Sequence, residues 1–419
     1  MVLFEGERRS LAAKPTENLE AYELYIRAGK YNRGRLEDIR IAVQLLERAT
    51  ELDPQFALAY VRLSRFHSGA FFFGQDRSET RRTRAKEAVE RALELDPELP
   101  EAYLTLGYYY YEGEGDYERA LKEFAIARRG LPSEVSILFA EALIWRRQGK
   151  LEETAENLKK ALALHPRSFD FASHLGLTLG MLRQFAEAEV YHERAIVLGP
   201  DRTQGYTWQA LNYLAWQGDT QRAHAVLERM PEGIGHSGPN LKAWMYLHRI
   251  EGSYQQALAL LTALPREAFS SQPWFISRAQ LLGEVYLALG DTLQARAAYD
   301  SARTLLEREV AQHPNDSRLR NSLGLVYAGL GRKQDAMREG RLAIELRPVS
   351  EDYMHGLTSL ESLARIYAAV GETELAIEQL EYLLSASFGT FVSRALLRSD
   401  PIWEPLRGNP GFKRLLGKS

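Results

Sequence analysis

A short phrase recurs along this 419-residue chain: apolar and small residues, one or two polar ones, then proline. It reads ATELDP up to Pro54, ALELDP up to Pro97, RRGLP up to Pro132, ALALHP up to Pro166, AIVLGP up to Pro200 and AIELRP up to Pro348. From Pro97 to Pro200 the spacings are 35, 34 and 34 residues. Proline has no amide donor and cannot continue a helix, so each phrase marks a helix end. A unit this short cannot bury an apolar face alone. Successive units must stack, and the core then grows lengthwise instead of closing into a globule.

The interior of each period is filled consistently. The third has Tyr103, Leu106, Gly107 and Tyr110, then Ala120, Phe124 and Ala127 before Pro132. The fifth has Leu175, Gly176, Ala188 and Ala195 before Pro200, and the ninth has Leu323, Gly324, Tyr327, Ala336 and Ala343 before Pro348. Small residues let two antiparallel helices approach, while Tyr110, Phe124, Tyr286 and Tyr299 fill the space between hairpins. The turns Gly115-Asp116, Gly218-Asp219 and Gly290-Asp291 pair a helix-ending glycine with an aspartate that can cap the next helix. This pattern resembles the tetratricopeptide repeat (TPR), whose period is about 34 residues. The expected fold is all-α, a right-handed superhelical solenoid of about ten helix hairpins with a C-terminal capping segment.

The chain divides by its departures from the period. Residues 1–18 form a lead-in, 19–229 an N-terminal array, and 230–240 (MPEGIGHSGPN) a glycine- and proline-containing linker. Residues 241–386 form a second array and 387–419 a cap of two short helices over the open apolar end. The second hairpin carries an insertion, GAFFFGQDRSETRRTR, before Ala85, and the eighth has a second helix about two turns longer than usual, from Leu293 to about Gln312.

Longer stretches carry a closer resemblance. ERRSLAAKPTENLEAYELYIRAG (7–29), GYYYYEGEGDYERALKEF (107–124), the segment 298–350 and LLRSDPIWEPLRGNPGFKRLL (396–416) resemble the C-terminal TPR region of bacterial signalling proteins. Those proteins carry TolB-like, adenylate-cyclase- or Ser/Thr-kinase-associated modules. The resemblance implies the sensor or scaffold part of a longer regulator, with the first residues ending a preceding domain. No cyclase, kinase or DNA-binding segment is present in the sequence, so none of those activities carries over.

Catalytic readings fail on spacing. There is no cysteine, which excludes thiol nucleophiles and cysteine–metal sites. None of the nine histidines forms an H-E-x-x-H pair. His67 and His192 fall on repeat positions and read as packing residues. Gly329 and Gly331 begin a G-x-G, but Gln334 stands where the third glycine belongs. Gly235-His236-Ser237-Gly238-Pro239 has proline where a nucleophile elbow needs glycine. The net charge of −3 argues against a general nucleic-acid binder. No segment approaches the roughly 18 apolar residues of a membrane span. The expectation is a cytoplasmic, non-catalytic protein with no cofactor and no metal.

What remains is binding. In such arrays the first helix of each hairpin lines the inner face. By register this face carries Leu104, Tyr108 and Tyr111 in the third hairpin and Phe139, Leu143, Arg146 and Arg147 in the fourth. It continues with Gln280 and Glu284 in the eighth, Asn321 in the ninth, and Glu361 and Arg365 in the tenth. Tyr110 takes the packing position, and tyrosine suits the contact of an extended peptide or helix. A second surface is Phe71, Phe72 and Phe73 beside the basic run that includes Arg81 and Arg82, since three adjacent phenylalanines cannot share one helix face. A solvated helix face also explains that run. The lysine and asparagine positions of the chaperone-tail carboxylate clamp are not evident. The leading reading is a scaffold that holds a peptide or protein segment in the groove. The alternative is a ligand-sensing regulatory domain.

Overall fold

The computed structural model describes residues 15–33, 35–72, 76–231 and 239–417. Phe73, most of the lead-in 1–18 and most of the 230–240 linker lie outside them. The chain forms two compact units, up to Ile144 and from Trp145.

Ten helix pairs follow one another among the described residues. In the first unit they are α1 (Leu19–Ala28) with α2 (Leu36–Leu52), α3 (Ala57–Phe72) with α4 (Glu79–Leu95), and α5 (Pro100–Tyr108) with α6 (Tyr117–Gly130). Helix α7 (Val135–Arg147) leads into the second unit, followed by α8 (Leu151–Leu164). Next come α9 (Phe169–Met181) with α10 (Phe185–Leu198), α11 (Thr203–Gln217) with α12 (Thr220–Glu228), and α13 (Pro239–Glu251) with α14 (Tyr254–Ala263). The last three pairs are α15 (Arg278–Ala288) with α16 (Thr292–Gln312), α17 (Ser317–Gly329) with α18 (Lys333–Leu346), and α19 (Tyr353–Ala369) with α20 (Thr373–Ser385).

The phrase that opened the sequence reading does what its chemistry demands. Helices α2, α4, α6, α8, α10 and α18 end at Leu52, Leu95, Gly130, Leu164, Leu198 and Leu346, each two residues before its proline. The glycine–aspartate turns also behave as expected. Gly115, Gly218 and Gly290 sit at φ 68°, 68° and 81°, where a side chain would be strained. Asp116, Asp219 and Asp291 then accept the amide protons of Arg119, Arg222 and Gln294. Inside the hairpins the small residues set the approach. A methyl group at Gly107 would stand 2.5 Å from the Phe124 ring, and one at Gly176 would stand 2.5 Å from Nδ1 of His192. Helix α16 runs 21 residues, the long second helix expected of the eighth hairpin.

Two features depart from the sequence reading. The segment between α14 and α15 forms a two-stranded antiparallel ribbon, β1 (Ala268–Ser270) with β2 (Phe275–Ser277). The turn between the strands closes with the Ser271 amide donating to the Trp274 carbonyl at 2.9 Å. The second is the fate of the C-terminal segment. Its helices α21 (Arg394–Ser399) and α22 (Pro410–Leu416), joined by a 3-10 turn at Pro401–Leu406, cover the last hairpin as a cap should. The segment also reaches earlier helices of its own unit. The Gly389 amide donates to the Met181 carbonyl at 2.8 Å, and Arg183 donates to the Ala386 carbonyl at 2.7 Å. The Phe391 ring meets Trp208 of α11 edge-on at 6.1 Å. Leu177 and Met181 of α9 accordingly share one apolar cluster with Leu360, Tyr367 and Phe388.

Candidate functional site

In the first unit, the residues expected to line a groove are gathered but occupied with one another. Leu104, Tyr108 and Leu143 pack against one apolar cluster containing Tyr111, Phe124 and Ile144, and Phe72 joins it. The Arg65 guanidinium lies 3.5 Å from the centre of the Tyr108 ring, while the Tyr108 hydroxyl donates to the Ser136 carbonyl at 3.2 Å. Burial raises the Tyr108 phenol above its ordinary value. Arg65 also holds buried Glu112 at 3.1 Å, with Arg33 at 3.9 Å on the other oxygen. Burial pulls the Arg65 guanidinium down to about 10.

The tyrosine run corrects the helical register on which the groove was drawn. Helix α5 stops at Tyr108, and Tyr109–Glu114 form a π-helical turn. A π turn holds more residues than an α turn, so the 100° step fails beyond Tyr108. Tyr109 and Tyr111 are turned inward at 3% and 5% exposure, while Tyr110 stays half-buried, the reverse of the packing assignment. Phe139 is half-buried on α7.

The second surface is also tied down. Phe71 and Phe72 close α3 and are half-buried, with Phe72 5.4 Å from the Tyr111 ring. The basic run is matched by acids: Arg81 with Asp76 at 2.8 Å, Arg82 with Glu79 at 2.8 Å, and Lys86 with Glu90 at 3.7 Å. Arg81 also meets Nδ1 of His67 at 2.9 Å, and burial with Arg81 nearby lowers that imidazole to about 4. His67 and His192 are each 1% exposed, the packing role expected of them.

In the second unit Arg147 is an internal tie. It donates to Asp352 at 2.9 Å, contacts Nδ1 of His355 and bonds the side chain of Gln272. Desolvation alone would raise the Asp352 carboxyl, but Arg147 and His355 hold it well below the usual carboxylate range. Arg146 is buried beside His174 at 3.1 Å.

The remaining inner-face residues, Gln280, Glu284, Asn321, Glu361 and Arg365, converge. They line one cavity of about 50 Å³ with residues from α13, the β-ribbon, α15, α17 and α19. Lys242, Tyr246 and Arg249 enter it from α13. The sequence reading placed this helix at the start of the second array but assigned none of its residues to the inner face. The signal was available, since 242 and 246 repeat the i, i+4 spacing of 280 with 284 and of 361 with 365. Trp274 and Phe275 of the ribbon form the roof, and nothing in a helical repeat foretells them. Arg318 anchors the ribbon by donating to the Ser271 carbonyl at 2.7 Å and the Ser270 hydroxyl at 2.9 Å.

The charges in this cavity divide into satisfied and open ones. Arg249 donates to both oxygens of Asp400, at 2.8 and 2.7 Å, and Arg318 pairs with Asp316. By contrast Lys242 has aromatic rings for company: Tyr246, Trp274 and Phe391, at 5.7, 5.8 and 6.0 Å. Burial lowers the Lys242 ammonium to about 8, with Glu361 resisting and Arg365 and Arg249 assisting. Arg365 lies 3.6 Å from Glu284 and 3.8 Å from Glu361, beyond hydrogen-bond reach. Its Nε, the Gln280 Oε1 and the Asn321 Oδ1 are buried without a hydrogen-bond partner. Buried polar atoms are nearly always satisfied in folded proteins, so several at one cavity mark a place for a bound molecule or water.

With this geometry in place, the comparisons are direct. Tetratricopeptide-repeat family patterns match residues 275–348 and, in overlapping spans, 78–135 and 111–156. The chain carries tetratricopeptide repeats. The chain is similar to "Protein CTR9 homolog" of Arabidopsis thaliana, 23% identical over 288 residues, covering 59% of this chain and 26% of that protein. It therefore spans about a quarter of that relative's length. Among solved structures it resembles a human IFIT1 dimer with PPP-AAAA, at 16% identity and TM-score 0.45 over 75% of this chain and 70% of the other. It also resembles YrrB, described as a TPR protein with an unusual peptide-binding site, at 18% identity and TM-score 0.32 over 47% and 96%. PilF of Pseudomonas aeruginosa aligns at 20% identity and TM-score 0.40 over 50% and 90%. Among the described residues no helix is long and apolar enough to cross a membrane.

Proposed function

We propose that this protein is a non-catalytic interaction scaffold whose recognition element is the inner-face cavity of the second unit. TPR arrays are interaction scaffolds, and the finer assignment rests on one observation. Inner-face side chains from four helices and the ribbon meet there with an ammonium, a guanidinium N–H and two amide oxygens left open. Elsewhere the residues that could have formed a groove bind one another, as around Tyr108 and Arg147. The inner-face residues expected of the third and fourth hairpins are occupied by their neighbours, which favours a short contact at the cavity. The signalling setting rests on resemblance and belongs to the same proposal.

A photo-crosslinking residue placed at Trp274 tests the assignment, with one at Leu293, which is 77% exposed on α16, as control. Mass spectrometry of the adducts should show partner peptides at Trp274 and few at Leu293. Equal labelling of both positions would refute the cavity as the recognition element.

The ligand-sensing reading is favoured by one specific feature. The roof over the cavity is the β-ribbon, which Arg147 and His355 grip through Gln272. A molecule held beneath Trp274 would bear directly on that grip.

A further inference from the structure

We infer that the cavity beneath Trp274 is a binding site for a small free α-amino acid with an aliphatic side chain. This deepens the ligand-sensing reading above and rests on the same cavity.

The first ground is charge. Once Arg249 is matched by Asp400 and Arg318 by Asp316, the ionised groups left in the lining are Lys242, Arg365, Glu284 and Glu361. The site is balanced overall: Arg365 makes long ion pairs with Glu284 at 3.6 Å and Glu361 at 3.8 Å, neither within hydrogen-bond reach, and no ion pair to Lys242 is present among the described residues. An anion alone would face Glu361, and a cation alone would face Lys242. A zwitterion satisfies both ends, its carboxylate accepting from Lys242 Nζ and Arg365 Nε, its ammonium donating to Glu361.

The second ground is the neutral acceptors. Gln280 is 2% exposed and Asn321 is 6% exposed, yet each has an amide oxygen without a donor. The other end of each amide is bonded: Gln280 Nε2 donates to Glu284 at 3.3 Å and Asn321 Nδ2 to Ser359 at 3.0 Å. The Ser359 hydroxyl can bond either end of the Asn321 amide, but turning the Gln280 amide would lose its bond to the Glu284 carboxylate, so the Gln280 oxygen calls for a ligand with N–H donors. An ammonium supplies three.

Size and apolarity complete the case. At about 10–15 Å³ for each water a cavity can hold, 50 Å³ takes roughly four waters, the displacement of a small amino acid and not of a helix. Leu241, Met245, Leu281 and Phe269 provide an apolar wall, all of them buried. The partly buried ammonium of Lys242, lowered to about 8, regains its ordinary affinity for a proton when a carboxylate arrives.

The test is calorimetric titration of the full chain with L-valine, N-acetylvaline and valinamide, followed by thermal shift with the same compounds. Saturable binding of valine is expected, with each blocked analogue weaker by tenfold or more, since each leaves one charged group buried and unmatched. A tripeptide ending in valine separates a chain terminus from the free amino acid, and tighter binding of the tripeptide would overturn the free-ligand assignment. Lys242→Met should cut discrimination against valinamide severalfold, Arg365 still facing the carboxylate, and Glu361→Gln should cut discrimination against N-acetylvaline. These two variants report on opposite ends of the ligand, so misfolding of one leaves the other decisive. Equal binding of all three compounds, or no binding of L-valine or L-leucine at millimolar concentration, would overturn the inference. If that happened while crosslinks at Trp274 persisted, only the ligand class would fall and the scaffold reading would stand.

Discussion

Cutting the ion pair between Arg249 and Asp400 should loosen the C-terminal segment of the second unit. Asp400 is 3% exposed and accepts both guanidinium bonds, at 2.8 and 2.7 Å. Its Oδ1 also accepts the Ile402 amide at 3.1 Å, which starts the 3-10 turn. Burial works against the charged form of Arg249, and Asp400 more than reverses this, raising the guanidinium above its usual value. Arg249→Met leaves a carboxylate buried with only an amide for company. The expected cost is about 3–5 kcal/mol, the range for removing one member of a buried pair. For a unit of this size that lowers the melting temperature by roughly 6–20 °C. Asp400→Asn should cost a similar amount while keeping the turn, because an amide oxygen can still cap it. The double variant Arg249→Met/Asp400→Asn should recover most of the loss, since neither charge is then stranded. Urea titration of the four proteins gives the coupling energy directly. Single variants costing under about 1 kcal/mol, as exposed pairs do, would refute this account, and so would a double variant equal to the sum of the singles.

Other expectations follow from the same geometry. Between about pH 8 and 10.5 the unfolded chain holds a proton on Lys242 that the folded chain has released. The destabilisation from this group is therefore complete below about pH 8 and fades as pH rises, so denaturation midpoints of wild type should approach those of Lys242→Met between pH 7.5 and pH 10. Gly176→Ala drives a methyl group into the His192 ring and should cost about 1–3 kcal/mol in thermal or chemical unfolding, with His192→Ala in the same chain relieving most of it. Arg147→Met should destabilise by about 1–3 kcal/mol at neutral pH by removing the charged donor that faces buried Asp352, whose bonds to His355 remain. Asp352 is held ionised by Arg147 and His355 in the wild type, so in the variant it protonates more readily, and the deficit should shrink below about pH 4.

The repeat was legible because it is local. Proline at the close of a helix, glycine–aspartate at a turn and a small residue at a close approach each act within a few residues, so they survive without knowledge of what lies across the core. The inner face was legible for the same reason where α-helical register holds, which is why Gln280, Glu284, Asn321, Glu361 and Arg365 meet in one cavity. Register failed at Tyr109–Glu114, where a π turn changes the angular step. It was not applied to α13, because the regular residues of that hairpin are too few to align. The roof of the cavity was illegible for another reason. The ribbon at 268–277 is held by Arg318, His355 and Arg147, whose partners lie between 47 and 125 residues away in sequence. Such contacts leave no periodic trace.

The C-terminal segment reaching Met181, Trp208 and Arg249 has a consequence for how the second unit folds. An open repeat array is close to one-dimensional, and its repeats can melt from either end nearly independently. Here the last hairpin and cap are bonded to helices about 150 to 210 residues earlier, as in Arg249–Asp400 and Gly389–Met181. These closures raise the contact order, and each imposes its loop entropy before it contributes. The second unit should therefore fold more slowly than an open stack of equal length and unfold as one cooperative block. Truncation after Ser385 would be felt at α9 and α13 as much as at the end that was cut.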